Sequence, residues 1–377
     1  MNPTSNSSTQ SIARRLLVSL VLTCAASSTL GAQNYRVDIL QGTGERFGSG
    51  EDINNAGQVA GSTGNTHEPS AIIWTNKLGT PLSSSLCCTY TETWGHAVNS
   101  LGQVAGEDTF QAAVWTNGTA SLLAPVSGAV ATAALGINDA GQVVGYAGSY
   151  SSAAHAMLWQ NDTARDLGTL GGLYSAAYDI NATGWVVGAS QLAGNDSFQA
   201  ALWHDGTATA LASPSGVSSH AYAINDAGQI AGEAGARAAV WTASGLSVIG
   251  APGSLANDIN NLGQVVGSID VLETESSRAL LWTGGATIDL NSFLSQADVA
   301  AGWTLESANA INDHGWITGS AYNAIQNTRY AYLLSVVPAV PEARSLWLML
   351  AGLGVIGWAS KRSRVTRPRG LAAACAA

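Results

Sequence analysis

Chemistry needs side chains that titrate, attack or coordinate, and this chain places few of them in a pattern. Its six histidines (His67, His96, His155, His204, His220 and His314) fall at different points of a repeating sequence. The chain contains no His-Glu-x-x-His, no Gly-x-Ser-x-Gly elbow and no phosphate-binding loop, so the short motifs of metallohydrolases, serine hydrolases and nucleotide sites are missing. Asn138-Asp139 and its counterparts lack the alternating acidic spacing of a Ca²⁺ loop. Cys87 and Cys88 are adjacent, without CxxC or zinc spacing. In an oxidising compartment they form either a strained disulfide or two free thiols. Carboxylates are plentiful: between Gln33 and Val340 stand 24 Asp and Glu against seven Lys and Arg, a balance of −17. A body this acidic repels phosphate backbones, which argues against nucleic acid as a partner. Two well-placed carboxylates suffice for glycoside cleavage. No catalytic, cofactor-binding or metal-binding residue can be named from the sequence, and no cofactor is implied.

The elements that would position any site come from one stretch, Ile137-Asn138-Asp139-Ala140-Gly141-Gln142-Val143-Val144-Gly145, which recurs seven times. Its anchors are Asn54, Asn99, Asn138, Asn181, Asn225, Asn260 and Asn312, each followed three residues on by Gly57, Gly102, Gly141, Gly184, Gly228, Gly263 or Gly315. The intervals are 45, 39, 43, 44, 35 and 52 residues, a period that signals a propeller or a solenoid. The stretch has hairpin chemistry. An Asn side chain bonds the backbone two residues on, and Gly supplies the positive φ of a type I turn closed by a bulge. Asn54, Gly57, Asn138, Gly141, Asn181, Gly184, Asn225 and Gly228 are therefore assigned as structural turns. Gly245, outside the anchors, is expected to accept a side chain more cheaply.

After each hairpin but the last comes an Ala-x-x-Trp strand, ending at Trp74, Trp115, Trp159, Trp203, Trp241 and Trp282. These runs are apolar on both faces, as in Ala112-Ala113-Val114-Trp115, which predicts strands covered on both sides. The six Trp residues then pack between blades. A further strand, best seen at Arg165 to Gly172, makes about four strands per unit of about 43 residues, the size of a propeller blade. The last repeat ends at Ala331-Tyr332-Leu333-Leu334 with no successor strand. Tyr35 to Leu40 resembles the missing piece and precedes the first repeat. The expectation is an all-β, seven-bladed propeller closed by its N-terminal strand, with an open β-solenoid-like array as the alternative. Residues 291–303 lengthen the last interval as an insertion.

Both ends read as targeting segments. Residues 1–32 form a signal peptide: Arg14 and Arg15, an apolar core from Leu16 to Thr23, then small residues up to a cleavage site after Ala32. Residues 33–337 are the seven-repeat array. Residues 338–377 are a tail in which Pro341-Glu342 precedes a hydrophobic helix at 346–359 and a basic end (Lys361, Arg362, Arg364, Arg367, Arg369). The apolar run is shorter than the roughly 20 residues of a comfortable membrane span, and its basic flank holds the C-terminus in the cytoplasm.

Two resemblances follow from these residues. Pro341-Glu342, the apolar helix with Gly352-Leu353-Gly354 and the basic cluster resemble a PEP-CTERM sorting signal, also labelled an ice-binding protein C-terminal domain. Ala177 to Gly188, His155 to Trp159 and Asp166 to Gly172 resemble the HAF-repeat family of extracellular proteins. The first resemblance implies a Gram-negative host making exopolysaccharide. It also implies an exosortase-type protease that acts at Pro341-Glu342 after a transient stay in the inner membrane, and release to the cell surface or matrix. The second implies location and architecture and brings no established activity. Together they suggest an exported, surface-sorted binding or structural module whose partner is extracellular polysaccharide or a surface protein. The alternative is a carbohydrate-active propeller enzyme. Carboxylates clustered with an Arg in the central channel would favour the enzyme, and a smooth channel of Gly, Ala and Ser the module.

Overall fold

The computed structural model describes residues 34–40, 46–65, 68–86, 92–149, 152–194, 197–271 and 276–337. The signal peptide, His67, Cys87 and Cys88, and the sorting tail with its apolar run lie outside them. Residues Tyr35–Val336 form one compact unit; the other grouping, Met1–Asn34 with Val337–Ala377, lies outside the described residues except for Asn34 and Val337. Among the described residues no helix is long and apolar enough to cross a membrane.

The repeats fold into seven four-stranded antiparallel sheets. Blade 1 consists of Phe47–Ile53, Val59–Asn65, Glu68–Thr75 and Leu78–Pro81, and blades 2 to 6 repeat the same meander. Blade 7 is built from Trp303–Ile311, Ile317–Asn323 and Thr328–Val337, and its fourth strand is Asn34–Leu40 from the other end of the chain. The first strands of neighbouring blades touch one another round the whole ring, blade 7 to blade 1 included, so they lie nearest the axis. The array is closed, and the solenoid-like alternative is set aside. Closure removes the free strand edge that an open array exposes.

Why these residues make blades is visible in each hairpin. Asn54 Oδ1 accepts the amides of Ala56 and Gln58, and the Gly57 amide donates to the Asn54 carbonyl at 3.0 Å. The seven anchor glycines take φ from +73° to +83°, where a Cβ is strained. Gly245 takes φ +112°, so the expectation that it tolerates a side chain more cheaply is corrected: it too needs a left-handed backbone. The second glycine of the repeat has a different task. In every blade the first strand carries one extra residue opposite Gly61, Gly106, Gly145, Gly188, Gly232, Gly267 or Gly319. A Cβ on any of these seven would overlap a carbonyl oxygen of the first strand. The repeat is thus a turn glycine followed by a bulge glycine.

Seven apolar clusters fill the ring. Six contain one of the repeat tryptophans, all at 6% exposure or less. Trp115, Trp159 and Trp241 also donate their indole N–H to carbonyls of the preceding blade's trailing loop, those of Ser83, Ala124 and Ala212. In blade 7, Leu334 stands opposite Ile317 where the other blades place Trp. The insertion before blade 7 folds back on the ring. It makes a 3-10 turn, Leu290–Phe293, and a short helix, Gln296–Ala300, opened by a Ser295–Asp298 capping box. Leu290 is fully buried, and the Phe293 ring lies 4.6 Å from that of Tyr35.

Candidate functional site

The first strands end in layers stacked along the axis, and each layer follows from a position counted back from the anchor Asn. The anchors form the first layer. Each Asn Nδ2 donates to the anchor carbonyl of the next blade, at 2.9–3.3 Å, and Asn312 returns to Asn54. Each anchor thus completes its own hairpin and bonds the neighbouring blade. In blades 1, 2, 3, 5 and 6 the same amide reaches the Gln four residues on at 2.8 Å. Blades 4 and 7 carry Trp185 and Trp316 there instead. One residue further out, Asp139, Asp226, Asn261, Asp313 and Asn55 each accept an amide from the preceding blade across the channel mouth, at 2.8–3.0 Å.

Two residues before the anchors comes a layer of three carboxylates, Asp52, Asp179 and Asp258; the other blades carry Ala97, Gly136, Ala223 and Ala310. With the anchors and mouth residues they line a cavity of about 260 Å³ whose lining contains no Lys, Arg or His. Each carboxylate takes the next amide of its own strand on one oxygen and an amide of the next blade on the other. The partners across the blade boundary are Val98, Ile224 and Ile311, at 2.7–2.8 Å. Burial raises all three carboxyls above the usual range, Asp52 to about 6 and Asp258 to about 8, and the charges of their neighbours add to the rise. Both oxygens of each are committed to backbone, and the cavity lining has no Arg. These carboxylates clip blade 1 to blade 2, blade 4 to blade 5 and blade 6 to blade 7. Asp313, against the upward push of burial, is held below the usual range by the amide of Asn261 and the side chains of Asn55 and Asn261.

Three residues before the anchors lies the bulge layer: Glu51, His96, Leu135, Tyr178, Tyr222, Asn257 and Asn309. These are the extra residues of the first strands. A bulge re-aims a side chain, and bulges gather beside functional sites. Here one backbone feature presents five different residue types. Asn257 Nδ2 reaches the Ala308 carbonyl at 3.0 Å, and Asn309 Nδ2 reaches that of Gly50 at 2.9 Å. The Tyr178 and Tyr222 rings lie 5.6 Å apart across the boundary of blades 4 and 5. Glu233, on the second strand of blade 5, accepts from His220 at 2.9 Å and from the Tyr222 hydroxyl at 3.2 Å. The His220 hydrogen bond holds Glu233 below its usual range against the cost of burial.

Of the histidines, His96 and His220 lie on axis-side strands. His155 pairs with Asp166 at 2.7 Å and His204 with Asp205 at 3.4 Å, farther out on blades 3 and 4. Among the described residues no group of three His, Cys, Asp or Glu is arranged to hold a metal ion. Sequence reasoning missed the carboxylate clips and the bulge layer; the signal was the fixed offset of both from the anchors.

No family model matches the chain, and no curated protein matches it. Among solved structures it is similar to the extracellular domain of a protein described as a one-component system from B. thetaiotaomicron, at 8% identity and a TM-score of 0.51. The match covers 80% of this chain and 40% of that one, so this chain spans less than half the length of its structural neighbour. The likeness is one of fold alone.

Proposed function

We propose that this protein is an exported, surface-sorted binding module that engages extracellular polysaccharide through the axis-side bulge layer. One observation carries the proposal. The ring repeats its backbone seven times, yet the seven bulge positions hold Glu51, His96, Leu135, Tyr178, Tyr222, Asn257 and Asn309. Identity maintained through repetition serves architecture, whereas divergence on an identical backbone is what a specific ligand requires. The enzyme alternative is weaker because the clustered carboxylates have both oxygens occupied by backbone amides. Export and sorting rest on the two ends of the chain: cleavage after Ala32, then exosortase-type cleavage near Pro341-Glu342 after the apolar run at 346–359 has paused in the inner membrane.

Co-sedimentation with matrix polysaccharide from the producing host tests the binding role. The protein is expected to sediment with the polysaccharide, and a Tyr178→Ala, Tyr222→Ala double variant to remain in solution. Unchanged sedimentation of the double variant would remove the channel from the account, and release of new reducing ends would favour the enzyme. Mass spectrometry of the surface form tests sorting: its C-terminus is expected near Pro341, and a peptide containing Trp347 or Trp358 would contradict cleavage.

A further inference from the structure

The bulge layer divides into two unlike halves. In blades 6, 7 and 1 its polar groups are spent on the ring itself. Asn257 and Asn309 hold carbonyls of the next blade, and Asn309 Nδ2 also reaches Glu51 Oε2 at 3.5 Å. In blades 4 and 5 four rings stand in sequence. Phe198 is 5.7 Å from His220, His220 is 5.9 Å from Tyr222 with ring planes only 4° apart, and Tyr222 is 5.6 Å from Tyr178. His220 and Tyr222 both use Oε1 of Glu233. Glu233 Oε2 and the Tyr178 hydroxyl have no hydrogen-bond partner among the described residues. All five residues are half-buried. A row of apolar faces with one free acceptor and one free hydroxyl at its edge is chemistry for a polyol with an apolar face.

Charge narrows the ligand further. The fourteen first and second strands carry nine acidic residues (Glu51, Asp52, Glu107, Asp108, Asp179, Glu233, Asp258, Asp270 and Glu306) and no Lys or Arg. The basic residues of the ring lie on third and fourth strands or in loops, as do Arg165, Arg237, Arg278 and Arg329. Asp258 stays largely protonated at neutral pH, Asp108 is buried and Glu306 pairs with Arg329, so the field comes from the remaining carboxylates. A carboxylated or sulfated polymer meeting them finds no Lys or Arg on these strands, and such juxtaposition gives specificity by repulsion. Resting on the binding role proposed above, we infer that the Phe198–His220–Tyr222–Tyr178 row with Glu233 is the subsite for an uncharged sugar unit. The axis-side charge excludes acidic glycans. A sugar ring lies against the aromatic row, donates a hydroxyl to Glu233 Oε2 and accepts from the Tyr178 hydroxyl.

Titration calorimetry on the full chain tests the assignment, with α- and β-linked neutral glucan oligosaccharides and polygalacturonate as probes. At least one neutral glucan is expected to bind, and polygalacturonate at least tenfold more weakly. Tyr222→Phe, which keeps the ring, is expected to retain affinity within about threefold, whereas Tyr222→Ala loses tenfold or more. The Glu107→Gln, Glu233→Gln double variant is expected to narrow the gap between neutral and acidic probes. If polygalacturonate binds as tightly as the best glucan and responds to Tyr222→Ala, the ligand class is wrong while the channel remains a binding site. If neither class of probe responds to Tyr222→Ala, the subsite is wrong.

Discussion

The anchor layer and the bulge layer are separated by three residues in every blade, yet they differ in kind. The anchors are Asn in all seven blades because each side chain makes bonds on which two blades depend: its own hairpin and its neighbour's carbonyl. The bulge residues share one backbone geometry and almost nothing else. A position fixed by hydrogen bonds that no other residue can make is repeated; a position that only has to be presented is free to vary. The contrast teaches where to look for specificity in a repeat protein: at the geometrically equivalent position that refuses to repeat.

The comparison can be broken most forcefully at the bulge glycines. Gly188→Ala places a Cβ against the Ala176 carbonyl oxygen, and closing that overlap moves backbone in a packed ring. It is expected to cost about 3 kcal/mol, read from urea unfolding, and a cost near zero would show that the bulge does not need glycine. Asn181→Ala comes next. It strands the part-buried amides of Thr183 and Trp185 and the buried Asn225 carbonyl, an expected loss of about 2 kcal/mol by the same measurement. Gly141→Ala and Gly245→Ala meet open space but positive φ, so each is expected to cost about 1 kcal/mol. A clear difference between the two would mean that the turn position matters beyond its backbone angle.

The carboxylate layer lies between these extremes and shows itself through pH. The unfolded chain holds its Asp carboxyls near the ordinary value of about 3.9, while the native ring holds Asp52 at about 6 and Asp258 at about 8. Between those values the native state retains protons that the unfolded state has released. This contribution to stability is therefore full below the ordinary carboxylate range, declines as pH rises and is lost above about 8. Asp258→Ala supplies the residue that blades 2, 5 and 7 already carry. It is expected to flatten the fall in unfolding midpoint between pH 6 and 8, and an unchanged slope would remove Asp258 as its source.

Much of the ring was legible in the sequence because its signals repeat. Seven Asn-x-x-Gly turns gave the blade count, and the strand lacking after Leu334 pointed to Tyr35–Leu40, which the structure places in blade 7. The site was not legible, for the same physical reason. Glu51 and Tyr222 share no side-chain chemistry, so no pattern search pairs them. The carboxylate clips occur in only three blades and read as scattered acidic residues. The insertion read as a lengthened connection, yet Phe293 packs against Tyr35 and Asn291 bonds both the amide and the carbonyl of Leu305, and two such contacts are enough to tie a loop down.

The most direct measurement compares unfolding free energies across two series in the same ring. One series changes each anchor Asn to Ala. The other gives the bulge positions that hold no neighbouring carbonyl a residue that another blade already carries, such as Tyr178→Asn, Tyr222→Leu and Leu135→Tyr. The anchor variants are expected to lose about 2 kcal/mol or more each, and the bulge exchanges less than about 1 kcal/mol each, with no overlap between the two groups. Bulge exchanges that destabilise as much as the loss of an anchor would contradict the division of the channel into a layer that holds the ring and a layer that meets the ligand.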